Sequence, residues 1–335
     1  MNSFPVIDVH THILAEDTIR LLQKEAPAIG LKLQPIDHES ATLEVAGVPY
    51  KPFPRGGFDI ARRLEDMDGT GIEIQVLSAT PQTYLYNQEA ALASACAALQ
   101  NDQMAAHIAA HPQRFLGIAT LPMQAPEKAA AELRRAMRVK GLRGAMIGSN
   151  VNGKNLDDPA LEPLWATAAE LGAFVFIHPV GVAGADRLRS YYLANLIGNP
   201  VDTTIAAASL VFGGVLDRHP NLKICLAHGG GFVPYQQGRW SHGWKVRPEP
   251  QVTLKHSPEP DLSRFIYDTI THSDASLEFL VKTAGASRVL LGSDYPYDMG
   301  LYDGVQRVRA LAIPQDQQAL ILGGSAGALL AAGTT

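Results

Sequence analysis

VIDVHTH, at residues 6–12, is an apolar, β-rich run that carries two histidines two positions apart. In an extended strand residues i and i+2 point the same way, so His10 and His12 are expected to project to one side. Further β-rich runs also end on side chains that bind metal ions: FVFIHP at 174–179 (His178), ICLAHGGG at 224–231 (His228) and VLLGSDYP at 289–296 (Asp294). Imidazole and carboxylate groups are ligands of Zn²⁺-like ions, and a site with few protein ligands leaves a position for water or substrate. The pattern predicts a catalytic metal site where strands end.

Short runs rich in Val, Ile and Leu alternate along the chain with longer amphipathic stretches. We predict strands near 5–10, 73–79, 115–121, 144–148, 173–178, 222–227, 265–268 and 288–293. Helical segments are predicted between them, at 87–110, 126–138, 158–171, 202–217 and 274–284. Such strands suit a parallel sheet covered by helices, and eight βα units favour an α/β fold, a closed (β/α)₈ TIM barrel. A doubly wound open sheet is the alternative, but it gives no reason for ligands from distant strands to converge.

The length of 335 residues fits a single barrel domain over residues 1–335. Residues 14–57 break the alternation, and their prolines and alternating TLEV core predict an extended hairpin or lid rather than a helix. An insertion after the first strand hangs over the mouth of a barrel. Two interpretations therefore stay open for this segment, a lid that contacts substrate and a surface excursion.

Composition limits the classes of function. A net charge of −5 gives no electrostatic basis for binding nucleic acid or an anionic membrane surface. No apolar run reaches the roughly 18 residues of a membrane span, and the N-terminus lacks the pattern of a signal peptide. Cys96 and Cys225 both lie in apolar surroundings, so we expect buried thiols and a cytoplasmic protein.

Taken in order, these motifs resemble the amidohydrolase superfamily, and more closely its branch of metal-dependent decarboxylases typified by aminocarboxymuconate-semialdehyde decarboxylase. The similarity runs from IDVHTH through RRLEDMDGTGIEIQVLSATP, HPQRFLGIATLP, IHP and HPNLKICLAHGGG to RVLLGSDYP. The resemblance implies that one Zn²⁺ ion, or another divalent metal such as Mn²⁺, is bound by four residues: His10, His12, His178 and Asp294. It also implies that His228 is the catalytic acid or base beside the ion. Binuclear members use a lysine or glutamate on the fourth strand, but GAMIGSN offers neither, so one ion per chain is expected.

The resemblance further implies a non-oxidative decarboxylase, a carboxy-lyase of aromatic compound degradation. Its substrate would be a hydroxylated aromatic or heteroaromatic carboxylic acid, or a related ring-cleavage product. Either His228 or Asp294, or metal-bound water held between them, would deliver a proton to the carbon that bears the carboxylate. Asp8 is expected to point to the same side of the strand as His10, and from that position we expect it to orient a ligand. Two other classes stay open: a metal-dependent hydrolase or hydratase of a lactone, lactam or unsaturated acid, and a binding protein with a relic site. GGSAG at 323–327 matches a serine-hydrolase motif but lacks the required strand before it and the acid and histidine after it.

The residues that would contact substrate depart from the pattern of the family. Decarboxylases of this branch grip a substrate carboxylate with an arginine ahead of the second helix, where this chain has Lys51 with Arg55 four residues on. Tyr191 stands where a tryptophan is expected, and Arg239 matches an arginine that reaches into the site of a neighbouring subunit. The resemblance thus implies four substrate-binding residues and a homodimer in which Arg239 completes the partner's site. The alternative is a solvated lysine, a packing tyrosine and surface arginines.

Overall fold

The computed structural model of the protein describes residues 4–45, 47–138 and 141–331. Its strands are β1 (Ile7–Ile13), β2 (Lys32–Pro35), β3 (Ser40–Val45), β4 (Val48–Pro54), β5 (Ile74–Ala79), β6 (Phe115–Ala119), β7 (Leu142–Gly148), β8 (Phe174–His178), β9 (Lys223–Leu226), β10 (Ile266–Asp268) and β11 (Val289–Leu290). Its helices are α1 (Glu16–Glu25), α2 (Ile60–Thr70), α3 (Ala90–Ala110), α4 (Pro126–Arg138), α5 (Glu162–Glu170), α6 (Asn199–Phe212), α7 (Val215–Arg218), α8 (Val233–Val246), α9 (Glu259–Leu262), α10 (Asp274–Ala284), α11 (Gly304–Ala310), α12 (Gln315–Ala319) and α13 (Ser325–Leu330).

Eight parallel strands form a barrel in the order β1-β5-β6-β7-β8-β9-β10-β11. Its two edges are joined because the backbone N–H of Val9 donates to the carbonyl of Leu291 (2.9 Å) and that of Asp294 donates to the carbonyl of His10 (2.8 Å). The TIM-barrel prediction is confirmed, and the open-sheet alternative is excluded. One boundary differs from the prediction, because β1 continues to Ile13 and so contains both of its histidines.

The barrel strands are buried on both faces, as their uninterrupted apolar sequences predict. Every residue of β1 and of β8 is buried, because one face fills the barrel interior and the other packs against the surrounding helices. Trp165 of α5 is fully buried in this layer and donates its indole N–H to the carbonyl of Leu156 (3.0 Å). Within the described ranges, no helix has both the length and the apolar character needed to cross a bilayer.

The insertion after β1 combines a helix with a small sheet. The predicted extended structure lies at 32–54, as the antiparallel sheet β2-β3-β4, whereas the start of the segment forms α1, which the prediction did not include. Ile19 and Leu22 of α1 are one helical turn apart and pack with Leu43 and Phe53 in a hydrophobic cluster separate from the barrel core. The same cluster includes Tyr297 of the loop after β11, so the insertion rests on the loop that carries Asp294. Its function as a lid stays a prediction.

Candidate active site

Four predicted ligand side chains meet at the C-terminal end of the barrel. His10 and His12 project from β1, His178 is the last residue of β8, and Asp294 lies in the loop after β11. All four residues are buried, and their ligand atoms lie within 4.8 Å of one another. This end of a TIM barrel is the one that carries the chemistry in enzymes of this fold. The barrel therefore brings together the four residues that the strand-end pattern singled out, although they lie up to 284 positions apart in the chain (294 minus 10).

The donor atoms that face one another suit a divalent cation. Nε2 of His10 lies 3.1 Å from Nε2 of His12, and Oδ1 of Asp294 lies 3.3 and 3.1 Å from these two nitrogens. Nε2 of His178 is buried and has no hydrogen-bond partner among the residues that the structure describes. A buried polar atom without a partner costs free energy unless another group satisfies it. Three imidazole nitrogens and one carboxylate oxygen are a ligand set that fits Zn²⁺ or Mn²⁺.

Burial and nearby charge set the protonation of these ligands. Burial lowers the pKa of His12 to about 4, against the attraction of Asp294, and lowers the pKa of His178 well below its usual value. Both imidazoles are therefore neutral at pH 7 and offer lone pairs. Burial also opposes the charged form of His10, but the carboxylates of Asp294 and Asp268 outweigh it and raise the pKa of His10 to about 10. Burial opposes the carboxylate of Asp294 as well, yet His10 holds its pKa well below the usual value.

Asp268, the last residue of β10, supports both the ligands and the HGGG loop. Its Oδ2 accepts from Nδ1–H of His10 (2.7 Å) and from the backbone N–H of His228 (2.9 Å). Its Oδ1 accepts from the backbone N–H groups of Gly229 (2.7 Å) and Ile270 (3.1 Å). A carboxylate on the far nitrogen of a metal-binding imidazole fixes its tautomer and orientation. Asp268 was not among the predicted site residues, although FIYD ends a predicted strand on a carboxylate.

Asp8 supports a different part of the site. It accepts from the backbone N–H (3.0 Å) and the hydroxyl (2.5 Å) of Ser293, and from the backbone N–H of His10 (3.2 Å). Burial raises the pKa of Asp8 to about 6. Asp8 therefore positions the backbone next to Asp294, and the imidazole-orienting role belongs to Asp268.

His228 lies beside the ligand set on a tightly turned backbone. Its own φ is 57°, and Gly229, Gly230 and Gly231 follow with φ of 62°, 77° and 60°. A Cβ at Gly231 would collide with the carbonyl oxygen of Pro200, so the close approach of two backbones requires glycine there. Nε2 of His228 lies 3.4 Å from Oδ2 of Asp294. This places a further imidazole beside the four candidate ligand side chains.

Two adjoining cavities, of about 540 and 370 Å³, reach these residues. These volumes suit a small molecule. The larger cavity extends past apolar side chains of α8 and α10, and the smaller extends towards β4. Both are lined by the same central residues: Asn195, Asn199, His228, Asp294 and Met299. The substrate space is therefore continuous across the ligand set.

His272, which the sequence analysis also missed, lines the larger cavity just beyond β10. It has a left-handed backbone (φ 55°), and burial lowers its pKa, so its imidazole is neutral. Its signal in the sequence is its place four residues after the end of a predicted strand, in FIYDTITH.

The residues predicted to contact substrate lie elsewhere in the described chain. All four are exposed, and none lines either of the two cavities: Lys51, Arg55, Tyr191 and Arg239. The guanidinium of Arg55 forms an ion pair with Asp59 (2.7 Å). The sequence neighbours Tyr50 and Tyr192 line the smaller cavity instead. As substrate contacts, the four residues stay predictions.

The chain is similar to a known protein family and to several known proteins over most of its length. A family model described as "Amidohydrolase" matches residues 7–331. The chain is 39% identical over 298 residues to 2-amino-3-carboxymuconate-6-semialdehyde decarboxylase of Dictyostelium discoideum, covering 88% of this chain and 82% of that protein. It is similar to the crystal structure of 5-carboxyvanillate decarboxylase from Sphingomonas paucimobilis (TM-score 0.84, 26% identity, 98% and 99% coverage). It is also similar to dihydroxybenzoic acid decarboxylase from Polaromonas sp. JS666 with bound manganese and the inhibitor 2-nitroresorcinol (TM-score 0.80, 26% identity, 98% and 97% coverage).

Proposed function

This chain belongs to the amidohydrolase family, and from that premise we propose that it is a metal-dependent, non-oxidative decarboxylase of a hydroxylated aromatic or heteroaromatic acid or a related ring-cleavage product. The observation that carries the proposal is the position of His228. Its Nε2 lies 3.4 Å from Asp294, and its side chain lines both cavities beside the four ligand residues. The three similar proteins described above are named as decarboxylases of three different carboxylic acids.

We assign one divalent ion to four ligands: His10, His12, His178 and Asp294. Zn²⁺ is our first assignment, since three imidazoles and one carboxylate suit it, and Mn²⁺ is the alternative because a similar structure contains it. An ion held by these residues would supply Lewis-acid chemistry towards the oxygen atoms of the substrate. Asp268 would keep the imidazole of His10 in the tautomer that presents Nε2.

His228 is the proton donor in this assignment. It transfers a proton from Nε2 to the ring carbon that bears the carboxylate, which forms a C–H bond and interrupts the conjugation of the ring. The bond from that carbon to the carboxylate then breaks, CO₂ leaves, and the electron pair of the broken bond restores the conjugation. Asp294, 3.4 Å from Nε2, holds the imidazole of His228 in the wall of the cavities. His228 takes up its next proton from solvent through the cavities.

The test is turnover by the metal-loaded protein on a panel of ortho-hydroxybenzoic and picolinic acids, followed by CO₂ release and absorbance. We expect CO₂ from at least one acid. His228→Ala should keep the metal and lose about 10²-fold or more of the turnover, whereas His242→Ala, an exposed histidine on α8, should match the parent protein. Loss of metal in His228→Ala would make His228 a ligand. Ring opening of a lactone or lactam without CO₂ release would favour a hydrolase.

We also propose a homodimer in which Arg239 completes the site of the partner, in a cytoplasmic protein. Support for the interface lies at the start of α8, where exposed Phe232, just before the helix, and exposed Tyr235 line the larger cavity and Arg239 follows Tyr235 by one turn. Support for a reducing compartment is that both cysteines are free and buried. Mixing Arg239→Ala chains with His228→Ala chains, each inactive alone, should restore part of the activity. No recovery after proven subunit exchange would contradict the shared site.

A further inference from the structure

Two asparagines at the centre of the substrate space have no role in the chemistry proposed above. Resting on the proposed function, we infer that Asn195 and Asn199, together with the hydroxyl of Tyr192, determine substrate specificity by binding an uncharged substituent of the ring. The substituent is a hydroxyl or amino group. It is additional to the carboxylate that leaves and to the oxygen or nitrogen beside that carboxylate, which would meet the ion.

Asn195 and Asn199 face the substrate space from one side of a helical segment. The segment contains a π turn, Ala194–Gly198, in which the backbone N–H of Asn199 donates to the carbonyl of Ala194. Such wide turns are rare and are frequent at functional sites. Side chains four residues apart lie on one face of a helix. Both asparagines line both cavities, whereas Ile197, on the opposite face, lines neither, so the two amides are turned towards the cavities.

The two amides lie next to the residues that would perform the reaction. Among the described residues, only His228, Asp294 and Met299 share with them a place in the walls of both cavities. Both asparagines are half-buried, and neither amide forms a hydrogen bond with another residue in the described chain. A ligand that displaces their water without replacing its hydrogen bonds loses free energy. A hydroxyl or amino group replaces those bonds, and a methyl group does not.

Tyr192 adds a hydroxyl on the same side of the smaller cavity. It lines that cavity, and its carbonyl accepts from the backbone N–H groups of Asn195 (3.0 Å) and Leu196 (3.1 Å), so it begins the turn that carries the asparagines. Its φ of 59° is rare for tyrosine, and residues held in such conformations cluster at sites that bind ligands. Burial and the charges of Asp298 and Asp294 raise the pKa of Tyr192, so its hydroxyl stays uncharged.

The chemistry of these three side chains selects an uncharged group. Amide and phenol groups carry no charge at pH 7 and offer both donors and acceptors of hydrogen bonds. Binding a carboxylate is therefore left to cations, namely the proposed ion and the Arg239 that a partner subunit would contribute. The two asparagines and Tyr192 would instead distinguish a ring hydroxyl or amino group from an apolar group of similar size.

Unreactive nitrophenols test the inference by calorimetric titration of the full-length protein loaded with Zn²⁺ or Mn²⁺. The set is the 2-nitrophenols with a hydroxyl group at ring position 3, 4, 5 or 6, each compared with the 2-nitrophenol that has a methyl group there. The first of them, 2-nitroresorcinol, is the inhibitor bound in the similar dihydroxybenzoic acid decarboxylase. We expect the hydroxyl compound to bind about tenfold more tightly at one or more positions, as one or two neutral hydrogen bonds would give.

Variants of the asparagines show where the preference arises. The Asn195→Leu/Asn199→Leu double variant keeps the size of both side chains and should reduce the preference for the hydroxyl compound at least about fivefold. Tyr192→Phe should reduce it about twofold or more. The matched control is Asn155→Leu, an exposed asparagine that lines neither cavity, and it should leave the preference unchanged. Thermal unfolding verifies that the variants fold, and alanine replaces leucine if the double variant does not.

The outcomes separate this inference from the proposed function. Equal binding of the hydroxyl and methyl compounds, or an unchanged preference in the folded double variant, overturns the inference and leaves the decarboxylase proposal to its own test, CO₂ release. An unchanged preference in Tyr192→Phe removes Tyr192 from the specificity residues. Failure of every 2-nitrophenol to bind also overturns the inference. If in addition no acid in the panel releases CO₂, the proposed function fails with it.

Discussion

Replacing Asp268 by asparagine tests whether the carboxylate at the end of β10 organises the metal site. The aspartate accepts four hydrogen bonds, two on each oxygen, from His10, His228, Gly229 and Ile270. Asparagine has almost the same shape but keeps only one acceptor oxygen. Its NH₂ group would face two N–H donors, and neither orientation of the amide satisfies all four.

The size of the effect follows from this geometry. Two buried donors lose their acceptor, and each costs about 1–3 kcal/mol, so the free energy of unfolding should fall by about 2–6 kcal/mol. If the amide keeps its oxygen towards Gly229 and Ile270, His10 loses the group that fixes its tautomer. Loss of such a partner typically lowers metal affinity by about 10–100-fold. Asp268→Asn should therefore weaken metal binding as well as the fold.

Two measurements separate these effects. Metal affinity is obtained by competition with a chelator, and stability by denaturant unfolding of chelator-treated protein. The matched control is Asp261→Asn, which changes a buried aspartate that pairs with Arg264 and does not contact the ligand set. The control should lose stability and keep the parental metal affinity. Equal metal affinity in Asp268→Asn and Asp261→Asn would refute the positioning role of Asp268.

Three further predictions concern the ligands and their support. His178→Ala should lower bound metal from about one ion per chain to a small fraction, measured by elemental analysis after gel filtration; full occupancy would remove His178 from the ligand set. Because the pKa of His10 is raised from 6.5 to about 10, its proton stabilises the folded protein fully below pH 6.5, and that contribution is lost as the pH rises through 10. Metal binding at pH 7.5 should therefore release about one proton from His10, and the affinity for the metal should increase as the pH rises towards 10. Calorimetry in buffers of different ionisation enthalpy measures the number of protons released, and a value of zero would contradict the prediction. Arg63 is fully buried and donates to the backbone carbonyls of Gly56 and His12. Arg63→Met should therefore lower the free energy of unfolding, measured with denaturant, by about 3 kcal/mol or more. The control Arg62→Met, at the surface, should lower it by under about 1 kcal/mol.

The meeting of the strand-end side chains was predictable because it follows from strand direction, whereas their roles as ligands stay a prediction. His10, His12 and His178 lie on barrel strands whose positions follow from their apolar sequences, and parallel strands end at the same face. The position of Asp268 at the end of a strand could have been predicted in the same way. Its importance, however, lies in four hydrogen bonds that form only in the folded chain. A carboxylate at the end of a short strand looks the same in sequence when it merely caps a turn.

The directions of side chains on β4 and on the loop after β8 could not be predicted from the sequence, for two physical reasons. In β4 a shift of one residue moves a side chain to the opposite face, and this decides that Tyr50, rather than Lys51, reaches the cavity. After β8 the chain places Tyr191 and Tyr192 in consecutive left-handed conformations, with φ of 58° and 59°. Tyrosine rarely adopts this conformation, so no local pattern signals it. The direction of each ring therefore depends on the packing of the whole loop.

The joining of β1 to the chain beyond β11 also determines when during synthesis the site can form. His12 and Asp294, which share this seam, are separated by 282 residues. At ordinary elongation rates the ribosome needs roughly 15–60 s to proceed from the histidine to the aspartate. During that interval the nascent protein has His10 and His12 but lacks Asp294, and its barrel stays incomplete until β11 has been made. A chain interrupted before residue 294 would lack one of the four side chains that meet at the mouth of the barrel and the backbone contact of Asp294 with His10, so the candidate site is completed only near the end of synthesis.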